Sequence, residues 1–245
     1  MSTDGSEGAA ELLAGLRPDS DLLAVLESAA RLQQVVPDAV LVGGSAAALY
    51  AGHRLSLDHD HVVEDLGSRF DAVLDAVEAT EGWITNRVTP YKIILGQLGD
   101  IEAGVRQLRR RRPLEVAEIK LPSGQRLRVP TPAEILRIKA YLITTRNRVR
   151  DYLYVAALSA RCGVASAADV LLEIDDYYED QHAAAGGSGG VRSQLVRQLS
   201  DPRPRDTTVL AELPRYKGLD PRWHDWNDVR AQCAALADAM LSQSA

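Results

Sequence analysis

Cysteine is scarce: 245 residues contain two, Cys162 and Cys233, far apart and without ligand-like spacing. That argues against a disulfide framework and a structural zinc site of the usual type, and it favours a reducing compartment. Long apolar runs are missing too; none approaches the roughly 20 residues of a membrane-spanning helix. The segment Met1 to Glu7 is acidic and small, unlike a secretory leader, so a cytoplasmic protein is expected. A net positive charge is also lacking. At −6 the chain has no overall field that draws it to nucleic acid. Positive charge is gathered locally instead, at Arg106, Arg109, Arg110, Arg111 and Arg112 and again at Arg137, Lys139, Arg146, Arg148 and Arg150. No internal repeat is visible, and the hydrophobic and charged fractions, 46% and 25%, are ordinary for a globular chain.

What is present is organised around residues 42–63. An apolar strand from Ala39 to Val42 enters Gly43-Gly44-Ser45, and the Ala46–Ala51 run after it is a good helix former. A strand, a glycine turn and a helix N-terminus expose backbone N–H groups that can hold a phosphate. Arg54-Leu55-Ser56-Leu57-Asp58-His59-Asp60-His61 follows in a β-like run. Period two puts Ser56, Asp58 and Asp60 on one face, with Leu57, His59 and His61 on the other. Two neighbouring carboxylates repel unless a proton or cation intervenes, and a hard divalent cation bridging to phosphates answers that need. A phosphate cradle next to a metal-binding acid pair is what phosphoryl or nucleotidyl transfer requires.

Gly43-Gly44-Ser45, twelve residues, then Asp58-x-Asp60 resembles the signature of the DNA polymerase β-type nucleotidyltransferase superfamily. The wider stretches, Leu41 to Leu49 and Arg54 to Asp60, are more similar still to the AbiEii/MenT group, except that His59 and His61 stand where that group usually has apolar residues. The group also has a Lys and, about twelve residues on, an Arg-Asp pair; Ile138-Lys139-Ala140 and Arg150-Asp151-Tyr152-Leu153 resemble both. Tyr154 departs from the pattern, which commonly has a second acidic residue there. The resemblance implies an α/β (α+β) fold, with a polymerase-β-like nucleotidyltransferase core over residues 1–130 and a helical C-terminal domain over 131–245 closing on it. It implies a Mg²⁺-dependent transfer of a nucleoside monophosphate from an NTP to an acceptor hydroxyl, with one or two metal ions. It further implies a bacterial toxin with tRNA as acceptor and a cognate antitoxin as partner. Two other readings stay open: a transferase acting on a protein or small molecule, and a non-catalytic, antitoxin-like binding module that kept the fold.

In chain order, residues 1–18 read as a loose tail, and Asp19 or Ser20 caps a helix from Asp21 to Val35. Phe70, Val73, Leu74 and Val77 fall at helical spacing after Gly67-Ser68. Strands are expected over 83–88, 91–98, 101–108, 114–121 and 126–129, with a hairpin turn at Pro122-Ser123-Gly124-Gln125. Thr131-Pro132-Ala133-Glu134 reads as a capping box opening a helix to about Thr145. Further helices are expected over 150–162, 166–181, 191–200 and 225–243, with a flexible glycine-rich loop at 186–190.

Asp58 and Asp60 are the expected catalytic metal ligands, with Glu102 as third acid because it stands in an apolar strand beside a glycine; Asp100, Glu115 and Glu118 remain alternatives. Gly43, Gly44 and Ser45 are expected to cradle the triphosphate, and Arg54 and Lys139 to offset its charge. Lys139 lies among Ile135, Leu136, Leu142 and Ile143, and an ammonium there is costly unless an anion meets it or its stem snorkels outward. Asp151 orients the acceptor or Lys139, or else is a helix cap or an arginine partner. On one unbroken helix Lys139 and Asp151 would be about 120° apart, so Thr144, Thr145 and Asn147 suggest a break. The run Arg109, Arg110, Arg111 and Arg112 is a solvated turn or a tRNA phosphate contact. His53, His59 and His61 could bind zinc, but packing and hydrogen bonding fit them better.

Overall fold

The computed structural model describes residues 20–187 and 189–244, so the tail expected at 1–18 lies outside the described residues. The described residues fall into two compact units: residues 20–50, 55–109 and 113–131 make the first, and 51–54, 110–112, 132–187 and 189–244 the second.

The first unit is a mixed sheet with helices against it. Helix α1 (Asp21–Val35) begins where Ser20 Oγ accepts the Leu23 N–H at 3.2 Å, so Ser20 is the cap. Strand β1 (Val40–Val42) runs directly into helix α2 (Gly43–Ala51), then β2 (Asp58–Val63), helix α3 (Phe70–Glu78), and strands β3 (Trp83–Thr89), β4 (Ile93–Leu98) and β5 (Ile101–Gln107). The order across the sheet is β1-β2-β5-β4-β3, with β2 and β5 parallel and every other pairing antiparallel. Strands β6 (Val116–Lys120) and β7 (Arg126–Pro130) form a separate hairpin, closed by a turn in which Gly124 has φ +89°. One core joins Leu32 of α1, Val36 just beyond it, Phe70, Val73 and Val77 of α3, and Ile94, Leu98, Ala103 and Val105 of the sheet. Buried Gln33 secures α1 to the hairpin: its amide nitrogen donates to the Arg128 carbonyl at 2.9 Å and its oxygen accepts the Arg128 N–H at 2.7 Å. That pairing satisfies both ends of a buried amide.

Two local expectations change here. The helix starts at Gly43 rather than Ala46, so both glycines and Ser45 form its first turn. Leu57, expected on the strand face of His59 and His61, lies outside β2, which begins only at Asp58, and is 48% exposed.

The second unit is helical. It contains α4 (Pro132–Arg146), α5 (Val149–Cys162), α6 (Val164–Leu172), α7 (Ile174–Ala184), α8 (Val191–Ser200), two 3₁₀ segments (Thr207–Arg215 and Pro221–Trp223) and α9 (Trp226–Gln243). The expected break between α4 and α5 is present. Asn147 adopts φ +50°, donates through its amide to the Arg203 carbonyl at 2.9 Å and accepts the Tyr152 hydroxyl at 2.6 Å. Asparagine tolerates that left-handed backbone better than most residues. The helix expected over 166–181 is two, because Glu173 at φ −90°, ψ 6° interrupts it. Glu134, read as half of a capping box, is a fully buried acid. Its Oε1 lies 2.7 Å from Arg110 Nη1 and its Oε2 3.5 Å from Arg137 Nη1.

Candidate active site

The acid pair stands on β2, where burial alternates residue by residue. His59, His61 and Val63 point into the unit, while Asp58 and Asp60 occupy the opposite, more open face. The expected separation of the two carboxylates from the two histidines therefore holds. His59 Nε2 lies 3.0 Å from Ser28 Oγ, and the two imidazoles meet edge to face at 5.2 Å. Burial holds the His59 pKa down at about 4, with Asp58 working against the shift, and pushes His61 well below its ordinary value. Among the described residues no three His, Cys, Asp or Glu side chains gather into a metal-binding group.

Asp60 sits between two glycines. Gly43, at φ +76°, is close enough that a Cβ there would come 3.4 Å from Asp60 Oδ2. Gly104 lies opposite Asp60 on β5, and a Cβ there would stand 2.8 Å from Asp60 Oδ1. Both absences leave room for the carboxylate and for something bound to it. Ser45 is fully buried and its hydroxyl donates to the Asp58 carbonyl, which fastens the first turn of α2 to the acid strand. Its hydroxyl is thereby committed to the backbone, and any phosphate contact at Ser45 would fall to its backbone N–H. Gly43 and Gly44 remain half exposed at the helix start. Ser56 Oγ donates to Asp58 Oδ1 at 2.8 Å.

Glu102 is exposed and lies opposite Asp58 in the parallel register, but with Asp58 and Asp60 it makes no three-acid cluster. The glycine two residues on, Gly104, lies opposite Asp60. The group that meets Asp60 from β5 is a cation, Arg106, with Nε 3.1 Å from Oδ1. Nothing in the sequence pattern marked Arg106 for this. Its place follows from a strand register that only the folded sheet reveals.

The second unit holds the other candidates. Gly52, at φ +60°, turns the chain out of α2 into His53 and Arg54. Arg54 Nε donates to the Tyr154 hydroxyl at 3.1 Å and its Nη2 donates to the same oxygen. Lys139, 3% exposed, sets its Nζ 4.1 Å from the centre of the Tyr154 ring. His53 approaches that ring edge-on at 5.2 Å. Burial lowers the His53 pKa to about 3, aided by the charges of Arg54 and Lys139, so the imidazole is neutral. Asp151 is buried and takes two positions of the bland reading at once. It accepts the Arg148 N–H at 3.4 Å, closing the first turn of α5, and meets Arg146 Nη2 at 3.1 Å. Burial raises its pKa, while the charges of Arg146 and Lys139 oppose the rise.

The arginine run separates by environment. Arg110 is buried against Glu134 with Tyr178 under its guanidinium at 5.2 Å, which removes it from any exposed patch. Arg109, Arg111 and Arg112 are exposed; Arg111 lies 3.5 Å from Asp180 and Arg112 covers the Tyr177 ring at 3.8 Å.

No protein-family model matches the chain. In sequence it is 32% identical over 258 residues to the heme uptake protein MmpL11 of Mycobacterium tuberculosis, a match covering 96% of this chain and 24% of that protein. The mycolic acid-containing lipids exporter MmpL11 of Mycolicibacterium smegmatis is 38% identical over 135 residues, which is 55% of this chain and 13% of that protein. The chain thus spans about a quarter, or less, of the length of the curated relatives it matches. Among the described residues no single helix is long and apolar enough to cross a membrane. In structure the chain superposes on MenT4, a nucleotidyltransferase toxin of M. tuberculosis H37Rv, with a TM-score of 0.57 and 18% identity over 98% of this chain and 86% of that one. The chain therefore shares its overall fold with MenT4.

Proposed function

We propose that this chain is a nucleotidyltransferase that moves a nucleoside monophosphate from an NTP to an acceptor hydroxyl. The observation that carries the reading is Asp60, set with Asp58 on one strand face and cleared on both sides by Gly43 and Gly104. Two carboxylates, phosphate oxygens and water are the donor set that Mg²⁺ prefers, so the residues fit the ion the fold implies. Bound by Asp58 and Asp60, magnesium would offset the charge of the triphosphate and make the acceptor hydroxyl more acidic. The acceptor oxygen bonds to the α-phosphorus, the bond to the bridging oxygen breaks, pyrophosphate leaves and the hydroxyl proton passes to water. The chain's own part is to bind and orient. The first turn of α2 offers backbone N–H groups to phosphate oxygens. In the helical unit, Arg54 and Lys139 supply positive charge for a polyphosphate, and Asp151 balances Lys139 and Arg146.

A toxin role, with tRNA as acceptor and an antitoxin as partner, is the finer reading. It draws on the MenT4 likeness and on the exposed Arg109, Arg111 and Arg112, whose charges suit a phosphate backbone. The relatives named for heme uptake and lipid export favour a second reading, in which the unit binds nucleotide within a longer protein and transfers nothing.

Incubation with each α-labelled NTP and total RNA, protein or small-molecule acceptors tests these readings. Label on RNA that disappears in Asp60→Ala supports transfer to RNA. Label on protein or small molecules redirects the acceptor. Nucleotide binding with no label on anything supports the second reading, and label that survives Asp60→Ala refutes the site. Replacing Arg109, Arg111 and Arg112 with glutamine should weaken RNA labelling and its salt dependence while sparing NTP binding.

A further inference from the structure

Two buried serines of the first unit hold Asp58. Ser45, in the first turn of α2, donates its hydroxyl to the Asp58 carbonyl and so fixes the main chain. Ser56, just ahead of β2, donates to Asp58 Oδ1 at 2.8 Å and so fixes the carboxylate. The serines are 0% and 2% exposed, whereas Asp58 itself is open to solvent. Among the described residues the second carboxylate oxygen, Oδ2, has no hydrogen-bond or ion-pair partner.

An exposed aspartate at the start of a strand has several rotamers open to it, and a loose ligand binds more weakly because that freedom is lost on binding. The Ser56 hydroxyl, itself packed in place, selects one orientation. It also makes the two carboxylate oxygens unequal: Oδ1 carries the hydroxyl proton, and Oδ2 is left to meet a cation. That inequality discriminates between hard cations. Ca²⁺ gathers about six to eight oxygens and readily takes both from one carboxylate, whereas Mg²⁺ demands a near-ideal octahedron, which one oxygen per carboxylate suits.

We propose that Ser56 is a positioning residue that presents a single oxygen of Asp58 and thereby favours Mg²⁺ over Ca²⁺ at the acid pair. This rests on the nucleotidyltransferase reading for placing a cation there, but its test needs no turnover. The probe is Mn²⁺, which shares the octahedral oxygen preference of Mg²⁺ and is read as the free ion by electron paramagnetic resonance. It is titrated into the full chain, with Ca²⁺ as competitor. Ser56→Ala should weaken Mn²⁺ binding about tenfold, the lower end for losing a group that orients a metal ligand. Ca²⁺ can then take both freed oxygens and should lose less than about twofold, or gain, so the preference for Mn²⁺ falls at least about fivefold. Ser56→Thr keeps the donor and should bind both ions within about twofold of the parent. In an Asp58→Asn background Ser56→Ala should change Mn²⁺ affinity by less than about twofold, since the group it orients is already gone. That background keeps the test decisive should the added methyl of threonine unfold the chain.

Mn²⁺ and Ca²⁺ affinities that fall by the same factor in Ser56→Ala would make the serine merely structural and overturn the inference. So would unchanged affinities, a loss that persists undiminished in the Asp58→Asn background, or no Mn²⁺ binding by the parent. A selective Mn²⁺ loss in a chain that labels no acceptor would sink the transfer reading alone. Metal-dependent labelling with unaltered ion preference in Ser56→Ala would sink this inference alone.

Discussion

The acid face of the first unit and the cation cluster of the second solve one electrostatic problem in opposite ways. Asp58 and Asp60 are two residues apart on one strand, and the Asp60 side chain is 31% exposed, so water and a dissolved cation can share their charge. Arg54 and Tyr154 are a hundred residues apart in sequence, and Lys139 and Tyr154 are buried, so protein groups alone must hold the charge in place. Carboxylates open to solvent wait cheaply for a metal. Buried cations need a fixed partner.

The largest effect should come from breaking the acid side alone. Asp60→Asn keeps the size of the side chain and removes the charge, and transfer should fall by at least about a thousandfold, the scale seen when a principal charge-stabilising group is lost. Thermal stability should barely change, because Asp60 is partly exposed and its partner Arg106 is too. A variant that keeps a tenth of the parent activity would take the metal away from Asp60.

Next is a control on buried charge that involves neither site. Glu134 is fully buried with Arg110 and Arg137 against it. Glu134→Ala leaves two guanidinium groups without that counter-charge and should cost about 3–5 kcal/mol in denaturant unfolding. Glu134→Leu costs less than Arg110→Leu only if the arginine carries the packing, a comparison the same titration settles.

These contrasts explain what was legible in the sequence. The acid pair was readable because its signal is local: period two alone separates Asp58 and Asp60 from His59 and His61. The break after Arg146 was readable for the same reason, as weak helix formers stood in a row. The contact of Arg106 with Asp60, the meeting of Arg54 and Lys139 at Tyr154, and the burial of Glu134 were not. Each owes its role to a pairing between distant segments, and a lysine among leucines looks the same whether it snorkels or meets a tyrosine. The division of 166–181 was missed because Glu173 is an ordinary helix former, and only tertiary packing distinguishes it.

A smaller change sharpens the role of the glycines. Gly104→Ala would bring a Cβ to 2.8 Å from Asp60 Oδ1 and 2.9 Å from a Leu95 methyl carbon. Relieving both should cost about 1–3 kcal/mol of stability and should reduce transfer by moving the carboxylate. Activity that survives at parental level would show that the close fit around Asp60 is dispensable.

On the cation side, pH offers a handle. The folded-state pKa of His53 is lowered to about 3 by burial and then by Arg54 and Lys139, while in the unfolded chain it should lie near about 6.5. The unfolded state therefore binds the extra proton. Stability from this group is complete above about pH 6.5 and is lost as pH falls towards about 3, by up to about 1.4 kcal/mol per pH unit. Neither ring nitrogen has a hydrogen-bond partner among the described residues, so His53→Leu should cost little at neutral pH and flatten the acid slope. An unchanged slope would mean that His53 is protonated in the folded state.

The smallest expected effect concerns the point where a cation already occupies the acid face. Arg106 Nε lies 3.1 Å from the Asp60 oxygen that Gly104 leaves accessible, on a strand whose register brings the guanidinium beside the carboxylate. With 39% of its side chain exposed, Arg106 contributes at most about 1 kcal/mol to holding Asp60, but it would compete with any divalent ion bound there for the same lone pairs. Arg106→Gln should raise the affinity for Mn²⁺ without nucleotide by about two- to fivefold, read by electron paramagnetic resonance of the free ion. With triphosphate present the guanidinium has phosphate oxygens to turn to, so the gain should shrink or reverse. An equal gain with and without triphosphate would make Arg106 a simple competitor, and no gain at all would show that a metal ion approaches Asp60 from the Gly43 side.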